Sequence, residues 1–550
     1  AIQENKETIL NCFEQAESVE SDIIIFPELA ITGYPPEDLL LRESFIGKNF
    51  AVLEEIAAFS SHTSGVIGFV DRKNDSHNQD NNKRTIANAA AIVQNGDVRG
   101  IYHKSFLPNY SVFDEARYFS KGTEPNTLFW YDDIAIGINI CEDIWIEDGP
   151  AEEQVKQGAS LIININASPY DINKSETRKE IVMKKAIKLN VPIIYLNMVG
   201  GQDELVFDGG SFVVNDLGEI IYQASSFKEE VFHLDIDLKT NKQNDKSSLI
   251  IRPKTIELKD IESKPSLSKN ESIYSALKLG LQDYVRKNKF TKVLIGISGG
   301  IDSALTAAIC VDALGAENVI GVAMPSKYNS KDSLDDAIKL SDKLGIDLKT
   351  IEIEKIVDDF RETLTNALNE ELGQITDENI QSRVRGNILM GLSNQTGAMV
   401  VSTGNKSEMA VGYSTLYGDL AGGFALIKDL YKTKVYELSN YINSISDAIP
   451  QNIITKEPSA ELRPNQFDSD SLPDYEVLDK ILNLYIEKDS SSEKIIASGV
   501  DSDIVFDVLE KVDRNEYKRQ QVAPGVKLTQ KAFGKDRRMP ITNTYTRQKE

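Results

Sequence analysis

A glycine-rich turn in the second half of the chain is the strongest candidate for binding a phosphate group. The apolar run 293–297 leads into Ser-Gly-Gly-Ile-Asp-Ser at 298–303, and the residues that follow predict a helix. Small residues at such a turn let backbone N–H groups and the helix N-terminus converge on an anion. The Gly-Lys-Ser/Thr ending of a Walker A loop is absent. An ordinary strand-to-helix turn is the alternative, but the full hexapeptide in this setting favours a phosphate cradle.

Three residues in the first half, Glu28, Lys104 and Cys141, each follow an apolar, strand-like segment. Hydrolysis of an amide by a thiol requires a base, a cation for the developing oxyanion, and the nucleophile itself. The lysine would also lower the pKa of the thiol. Singly, the three residues have ordinary interpretations, namely a solvated strand end, a surface lysine and a cysteine packed as a small hydrophobe. Their occurrence together and in this order favours a catalytic site.

The second half alternates helical patterns with short apolar strands. The strands are predicted at residues 293–297, 318–324, 347–353 and 397–402. This alternation predicts right-handed crossovers and a doubly wound parallel sheet, with ligands at the carboxyl ends of the strands. Thr403 and Glu408 follow the last of these strands and are candidates to meet the same nucleotide as the cradle. Asp302 and Glu408 offer the oxygen ligands that Mg²⁺ prefers; a helix cap or a solvated acid is the alternative for each.

Length and composition limit the possible partners. A chain of 550 residues is too long for one core, so two large or three small domains are expected. The formal charge of -24 argues against nucleic acid and anionic membranes as partners. No apolar run reaches the roughly 18 residues that span a bilayer, and a charged-then-apolar leader is not expected. The only cysteines are Cys12, Cys141 and Cys310, which suits a reducing compartment. We therefore expect a cytoplasmic protein with small-molecule substrates.

The first half resembles the nitrilase, or carbon–nitrogen hydrolase, superfamily. The resemblance rests on Phe-Pro-Glu-Leu-Ala-Ile-Thr-Gly-Tyr at 26–34, Tyr-His-Lys-Ser-Phe-Leu-Pro at 102–108 and Ile-Cys-Glu-Asp-Ile-Trp at 140–145. It implies an α-β-β-α sandwich in which Glu28, Lys104 and Cys141 form the catalytic triad. Such domains usually begin with a central strand, which this sequence is expected to lack before its first helix.

The glutamine-using members of that superfamily imply further site residues. By position, Tyr110, Ser168 and Lys174 would hold the α-amino and carboxylate groups of glutamine. Opposed charges and hydroxyl groups are what a zwitterion needs, so the residue types fit. Lys174 has a rival in Arg178, one turn along the predicted helix.

The second half resembles the ammonia-transferring NAD synthetases. The motifs lie at residues 298–303, 403–408, 417–423, 457–464 and 533–540. A nitrilase-like half ahead of such a domain is the arrangement of the glutamine-dependent NAD⁺ synthetases. The implied domains are 1–238 for glutamine hydrolysis, a polar linker at 239–272, and an ATP pyrophosphatase-type synthetase domain at 273–550.

This resemblance also implies the ligands and the reaction. The residues expected to contact ATP are Gly296, Ile297, Ser298, Gly299, Gly300, Ile301, Asp302, Ser303 and Thr403; those expected to contact deamido-NAD⁺ are Asn379, Glu408 and Lys518. Cys141 would release ammonia from glutamine, and ATP with Mg²⁺ would activate deamido-NAD⁺ as an adenylate, giving NAD⁺, AMP, pyrophosphate and glutamate. A homo-oligomer is expected. Two alternatives stay open: the same machinery acting on another carboxylate, and a nucleotide-binding regulatory protein in which Cys141 is only buried.

Overall fold

The computed structural model describes residues 2–73, 86–125, 127–238, 248–249 and 263–543. The chain forms two compact units, one of residues 1–200 and 207–267 and one of residues 201–206 and 268–550. Most of the predicted linker, 239–272, lies outside the described residues, and its last residues already belong to a helix. Among the described residues, no helix has the length and hydrophobicity needed to cross a membrane.

The described part of the first unit is built around two large sheets and four helices. Its helices are α1 Ile2–Ser18, α2 Glu43–Phe59, α3 Pro150–Lys156 and α4 Lys174–Leu189, with 3₁₀ turns at Glu37–Leu41, Glu115–Arg117 and Cys141–Trp145. The strands up to residue 249 are β1 Ile23–Ile25, β2 Ser64–Arg72, β3 Ile86–Gln94, β4 Asp97–His103, β5 Leu128–Tyr131, β6 Ile134–Ile140, β7 Leu161–Asn166, β8 Ile193–Asn197, β9 Val199–Gln202, β10 Leu205–Asp208, β11 Phe212–Val214, β12 Ile220–Gln223 and β13 Ser248–Leu249.

The two sheets pack face to face with helices outside them, as expected for an α-β-β-α sandwich. One sheet has the strand order β1-β2-β3-β4 and the other β12-β11-β8-β7-β6-β5-β13. Alternation along β2 explains the layers, because Val66 lies in the core between the sheets whereas Ile67 faces α1 and α2. Helices α3 and α4 cover the outer face of the second sheet. The predicted fold class of this half is confirmed.

The second unit contains the predicted parallel sheet. Its helices are α5 Lys269–Lys287, α6 Ile301–Leu314, α7 Lys331–Leu344, α8 Glu354–Leu368, α9 Gln374–Thr396, α10 Lys406–Val411, α11 Lys432–Ser446, α12 Gln451–Thr455, α13 Tyr475–Leu482, α14 Ser492–Ala497, α15 Ser502–Arg514 and α16 Glu516–Arg519, with 3₁₀ turns at Ala316–Asn318 and Asp468–Asp470 and a π turn at Asn483–Glu487. Its strands are β14 Val293–Gly296, β15 Val319–Ala323, β16 Asp347–Thr350, β17 Met399–Ser402 and β18 Phe424–Ala425.

All neighbouring strands of this sheet are parallel, in the order β16-β15-β14-β17-β18. Helices α8 and α9 pack on one face through an apolar cluster that includes Val357 and Val384. Helix α6 packs against β14 and β15, and α5 and α11 pack against α6. The chain reverses its winding direction at β14, so a crevice is expected at the carboxyl end of this strand. The predicted doubly wound architecture is confirmed, and the cradle begins at this strand end.

One segment of the first half differs from its prediction. The sequence of residues 200–211, with two glycines at each end, predicts a turn-rich loop, but β9 and β10 pair there as a two-stranded sheet. The glycines at its two ends suggested turns, whereas Leu-Val-Phe at 205–207 has the apolar and aromatic residues that strands favour. The predicted loop is therefore a hairpin.

Candidate active sites

Glu28 is fixed just beyond the short strand β1 and is completely buried. The backbone of residues 27–29 lies against Gly68 of β2, where an added Cβ would approach the Pro27 carbonyl oxygen to 2.2 Å. Ile31 then donates its N–H to the Gly68 carbonyl oxygen. A glycine is needed at this point of β2 because any side chain would push the Glu28 segment away. The burial excludes the solvated strand end considered from the sequence.

A buried lysine connects two buried carboxylates. Lys104 Nζ donates to Glu28 Oε1 at 2.7 Å and to Glu115 Oε1 at 2.8 Å. Glu28 also accepts from Asn88 Nδ2 at 2.7 Å and from the Ala167 N–H at 2.9 Å. Burial lowers the pKa of Lys104, but Glu115 and Glu28 raise it more, so that it stays well above its usual range. The interpretation of Lys104 as a surface residue is excluded.

Glu115 was not predicted from the sequence. Burial raises its pKa to about 7, while the neighbouring Lys104 ammonium acts in the opposite direction. Its Oε1 atom also accepts from the Tyr34 hydroxyl at 2.9 Å. The adjacent Asp114 has the same charge, so residue type could not select Glu115; only the 3₁₀ turn that directs it inward does.

Cys141 lies where β6 ends and a 3₁₀ turn begins. Its φ of 46° is left-handed, a conformation that a non-glycine residue keeps only when its surroundings impose it. Burial and then the Glu28 charge raise the pKa of the thiol well above its ordinary value, and Lys104 only partly offsets them. The expected lowering of the pKa by Lys104 is therefore outweighed. At neutral pH the group is a thiol, and ionising it requires a base.

Two predicted glutamine-binding residues lie beside the 3₁₀ turn Cys141–Trp145. The Tyr110 hydroxyl donates to Glu142 Oε2 at 2.9 Å, and the tyrosine is 52% exposed. Lys174 is the first residue of α4, and its Nζ lies 4.6 Å from the centroid of the Trp145 ring. Burial and then Arg178 lower the pKa of Lys174. Within the described part of the chain it forms no ion pair, so its charge is available to a ligand.

Arg178 is excluded as the rival of Lys174 because all of its N–H groups are used. Nε donates to the Ser168 hydroxyl, Nη1 to both carboxylate oxygens of Asp208, and Nη2 to the Ser168 and Pro169 carbonyl oxygens. The Ser168 N–H is in turn bound by the Asn197 side chain at 2.9 Å. Arg178 thus fixes Ser168, the third predicted glutamine-binding residue, from within the protein.

The cradle follows β14 as predicted. Gly299 has a φ of 81°, and a Cβ there would lie 2.2 Å from the Ser333 carbonyl oxygen at the start of α7. The two serines of the hexapeptide close the turn, with Ser298 Oγ 3.1 Å from Ser303 Oγ and the Gly300 N–H donating to Ser298 Oγ. Since α6 begins at Ile301, its first N–H groups face the same turn. This geometry suits a phosphate.

A polar cluster joins the cradle to the end of the neighbouring strand β17, close to Thr403. Asn405 caps α10 and donates to Asp302 Oδ1 at 2.9 Å. Lys432 Nζ lies between Asp302 Oδ2 and Glu408 Oε1, at 3.2 Å from the latter. Burial lowers the pKa of Lys432, but Asp302 and Glu408 together raise it. Lys432 and Asn405 were not predicted, because their partners are distant in the sequence.

The predicted metal ligands converge on that one ammonium group. Asp302 and Glu408 both direct a carboxylate oxygen at Lys432 Nζ, and burial raises the pKa of Glu408 to about 8. No group of three or more acidic, histidine or cysteine side chains placed to hold a metal occurs among the described residues. Two carboxylates fit Mg²⁺ nevertheless, since this ion is usually held by one or two carboxylates, substrate phosphates and water.

Two of the residues predicted for deamido-NAD⁺ hold the segment 412–415. Lys518 Nζ donates to the Gly412 and Ser414 carbonyl oxygens, both at 2.8 Å. The Thr415 hydroxyl donates to Asn379 Oδ1 at 2.7 Å. Glu408 lies one helical turn earlier, and its carbonyl oxygen accepts from the Tyr413 N–H. The three predicted residues therefore border one loop.

Comparison with known proteins covers both halves of the chain. The carbon-nitrogen hydrolase family matches residues 1–244 and the NAD synthase family residues 273–522. A glutamine-dependent NAD(+) synthetase of Thermotoga maritima is 46% identical, over 98% of this chain and 96% of its own. One of Aquifex aeolicus is 45% identical, over 99% and 97%.

Two solved structures also match almost the whole chain. The glutamine-dependent NAD+ synthetase of Acinetobacter baumannii, solved with adenosine diphosphate, is 42% identical and matches 99% of this chain and 96% of its own with a TM-score of 0.74. A structure from Cytophaga hutchinsonii has a TM-score of 0.80 at 22% identity, over 98% and 95% of the two chains, and supports the fold alone. Because relatives more than two-fifths identical align along almost the whole chain, this protein belongs to the glutamine-dependent NAD⁺ synthetases.

Proposed function

We propose that this protein converts deamido-NAD⁺ to NAD⁺, using ATP and the ammonia that it releases from glutamine. The observation that carries the proposal is the buried Glu28–Lys104–Glu115 cluster at the Cys141 thiol, in a chain whose other unit holds a phosphate cradle. A cysteine used only for packing has no need of a buried lysine and two carboxylates, which are costly to bury. The regulatory interpretation is therefore disfavoured.

Glu28, Lys104 and Cys141 perform the hydrolysis of glutamine. Glu28 accepts the proton of the Cys141 thiol as the sulfur attacks the side-chain amide carbon. The Lys104 ammonium stabilises the developing oxyanion. The tetrahedral intermediate collapses, ammonia leaves with the proton held by Glu28, and a thioester stays on Cys141. Water, deprotonated by the same carboxylate, then releases glutamate.

The α-amino and carboxylate groups of glutamine are held at the rim of this site. Lys174, which forms no ion pair within the described residues, binds the substrate carboxylate. The Glu142 carboxylate, oriented by the Tyr110 hydroxyl, binds the α-ammonium group. Ser168 supplies a further polar contact. This arrangement places opposite charges where a zwitterion requires them.

In the second unit, the nicotinate carboxylate of deamido-NAD⁺ attacks the α-phosphorus of ATP. The N–H groups of the cradle, residues 296–303, bind the phosphates, with Thr403 beside them. Lys432, buried between Asp302 and Glu408, adds a positive charge where pyrophosphate departs. Ammonia attacks the carbonyl carbon of the resulting adenylate, and AMP leaves as NAD⁺ forms. Asn379, Glu408 and Lys518 border the loop that receives deamido-NAD⁺.

Asp302 and Glu408 would hold Mg²⁺ together with the phosphates of ATP. When bound, the ion neutralises negative charge on the phosphate oxygens. We further propose a cytoplasmic location, because Cys12, Cys141 and Cys310 are all free thiols and a reducing compartment keeps Cys141 active. A homo-oligomer is also proposed, and the native mass in solution tests it.

The function is tested with glutamine labelled by ¹⁵N at its amide. Incubation with Mg-ATP and deamido-NAD⁺ whose nicotinate carboxylate carries ¹⁸O should give NAD⁺ that contains ¹⁵N. An adenylate intermediate transfers one ¹⁸O to AMP, which mass spectrometry detects. Unlabelled products or the absence of NAD⁺ would overturn the proposal. If AMP is released only when a different carboxylic acid is added, the two active sites act on that acid and not on deamido-NAD⁺.

A further inference from the structure

Asp143, two residues after Cys141, is completely buried and accepts four hydrogen bonds. Its Oδ1 atom accepts from the Ser105 N–H at 3.1 Å and the Phe106 N–H at 2.9 Å. Its Oδ2 atom accepts from the Ile140 N–H at 3.1 Å and the Tyr102 hydroxyl at 2.9 Å. One carboxylate therefore joins two stretches of chain that are far apart in the sequence.

Both stretches carry a residue of the triad. Ser105 directly follows Lys104 at the end of β4, and Ile140 directly precedes Cys141 at the end of β6. Strands β4 and β6 belong to different sheets of the sandwich. Their ends are thus not held in register by a shared ladder of backbone hydrogen bonds, and a side chain that binds both determines how Lys104 faces the thiol.

The turn that carries Cys141 also depends on this carboxylate. Cys141 keeps its left-handed conformation, with a φ of 46°, at the start of a 3₁₀ turn that includes Asp143 itself. The Asp143 side chain returns to the Ile140 N–H and closes that turn. The same group therefore fixes the backbone on both sides of the nucleophile.

The chemistry of the four donors requires a carboxylate. All are N–H or O–H groups, so each oxygen of Asp143 must accept two hydrogen bonds. An asparagine of the same shape would lose both backbone bonds if its NH₂ group faced Ser105 and Phe106. If that group faced Ile140 and Tyr102 it would lose the Ile140 bond, whereas the Tyr102 hydroxyl can also accept. Exchange of one oxygen for nitrogen therefore releases one side of the contact without creating a cavity.

We propose that Asp143 is a positioning residue for glutamine hydrolysis: it holds the end of β4 against the Cys141 turn and so sets Lys104 relative to the thiol. This inference rests on the proposed function, since it concerns the rate of the glutaminase step. It assigns Asp143 no contact with substrate.

The test is Asp143→Asn in the full chain, with Asp148→Asn as the matched control, because Asp148 is exposed, with 84% of its side chain accessible, and lies near the same turn. For Asp143→Asn, kcat with glutamine should fall about 100-fold, since displacements near 1 Å have effects of that size. KM for glutamine and the rate with ammonium should change less than about threefold. Alkylation of Cys141 by iodoacetamide should slow in parallel with kcat for glutamine. If Asp143 only stabilised the fold, the rates with glutamine and with ammonium would fall together.

Tyr102→Phe provides a second, milder test, because it removes one of the four bonds, together with the 3.2 Å contact between the Tyr102 and Ser105 hydroxyls. It should lower kcat with glutamine about three- to tenfold and leave KM unchanged. If Asp143→Asn fails to fold, Tyr102→Phe decides alone. Wild-type kcat with glutamine in either folded variant would overturn the positioning role. An inactive wild type would instead overturn the proposed function.

Discussion

A lysine that water does not reach lies at the centre of the first candidate site. Lys104 is 0% exposed and lies between Glu28 and Glu115, which leaves one net negative charge in the cluster when all three are ionised. A buried ammonium is stable only while it is paired. In the proposed mechanism, Glu28 takes a proton from Cys141 while Glu115 keeps Lys104 paired. In this proposal Glu115 maintains the ion pair of Lys104, and Glu28 is left to accept the proton.

Glu28→Gln should reveal the raised pKa of the Cys141 thiol. Burial, the largest cause of the shift, persists in the variant, so thiolate forms only through free ionisation at high pH. Alkylation of Cys141 by iodoacetamide should rise about tenfold per pH unit between pH 7 and 9. The wild type, in which Glu28 accepts the proton, should show a much flatter profile. Peptide mass spectrometry separates Cys141 from Cys12 and Cys310. A plateau below pH 7 in Glu28→Gln would mean that Lys104 alone ionises the thiol.

Lys174→Met should weaken glutamine binding without disabling the chemistry. Loss of the ammonium group removes one charge-assisted bond to the substrate carboxylate, so KM should rise about 10- to 100-fold while kcat changes little. Lys184→Met is the matched control, because Lys184 lies on the same helix with its side chain 78% exposed. Steady-state kinetics with glutamine distinguishes the two. A similar KM for both variants would show that a group other than Lys174 binds the carboxylate of glutamine.

At the level of elements, strand ends place the proposed triad, the cradle and Thr403, whereas Lys174, Asn379 and Lys518 lie in helices. Strand β6 is the apolar segment predicted before Cys141, and β14 and β17 end where the cradle and Thr403 were expected. These strands were predictable because they are short apolar runs that end in polar or small residues. Strands β2 and β3 were not predicted, although β2 supplies Gly68 and β3 supplies Asn88, because their roles depend on pairing across the sheet.

Gly299→Ala should damage the cradle in two ways. A Cβ there would meet the Ser333 carbonyl oxygen at 2.2 Å, and the φ of 81° disfavours alanine. We expect a loss of about 1–2 kcal/mol in the free energy of unfolding and a fall of at least about tenfold in the ammonium-dependent rate. Gly391→Ala is the control, since its Cβ would have no neighbour within 4 Å. Equal rates for the two variants would show that the cradle tolerates a side chain.

At the level of the whole molecule, the sandwich of the first half was implied by a family resemblance carried by motifs, whereas the parallel sheet of the second half was predicted from the alternation of helices and strands. The sequence could not identify Asn88 or Lys432, because their partners Glu28 and Asp302 lie 60 and 130 residues away along the chain. Glu115 is only 11 residues from Lys104, but its residue type does not distinguish it from the adjacent Asp114. The sequence also overstated the effect of Lys104 on the thiol, since burial depends on packing that residue types do not reveal. Residues at strand ends were thus predictable, whereas the groups that surround them required the fold.

The division of labour between the two units is the central claim, and Cys141→Ala tests it most directly. NAD⁺ formation from deamido-NAD⁺ and Mg-ATP is measured for the wild type and the variant, with glutamine or with ammonium as nitrogen source. The wild type should use both sources, and the variant should use ammonium at a similar rate but fail with glutamine. A variant that still makes NAD⁺ from glutamine, or that fails with ammonium although folded, would contradict this account.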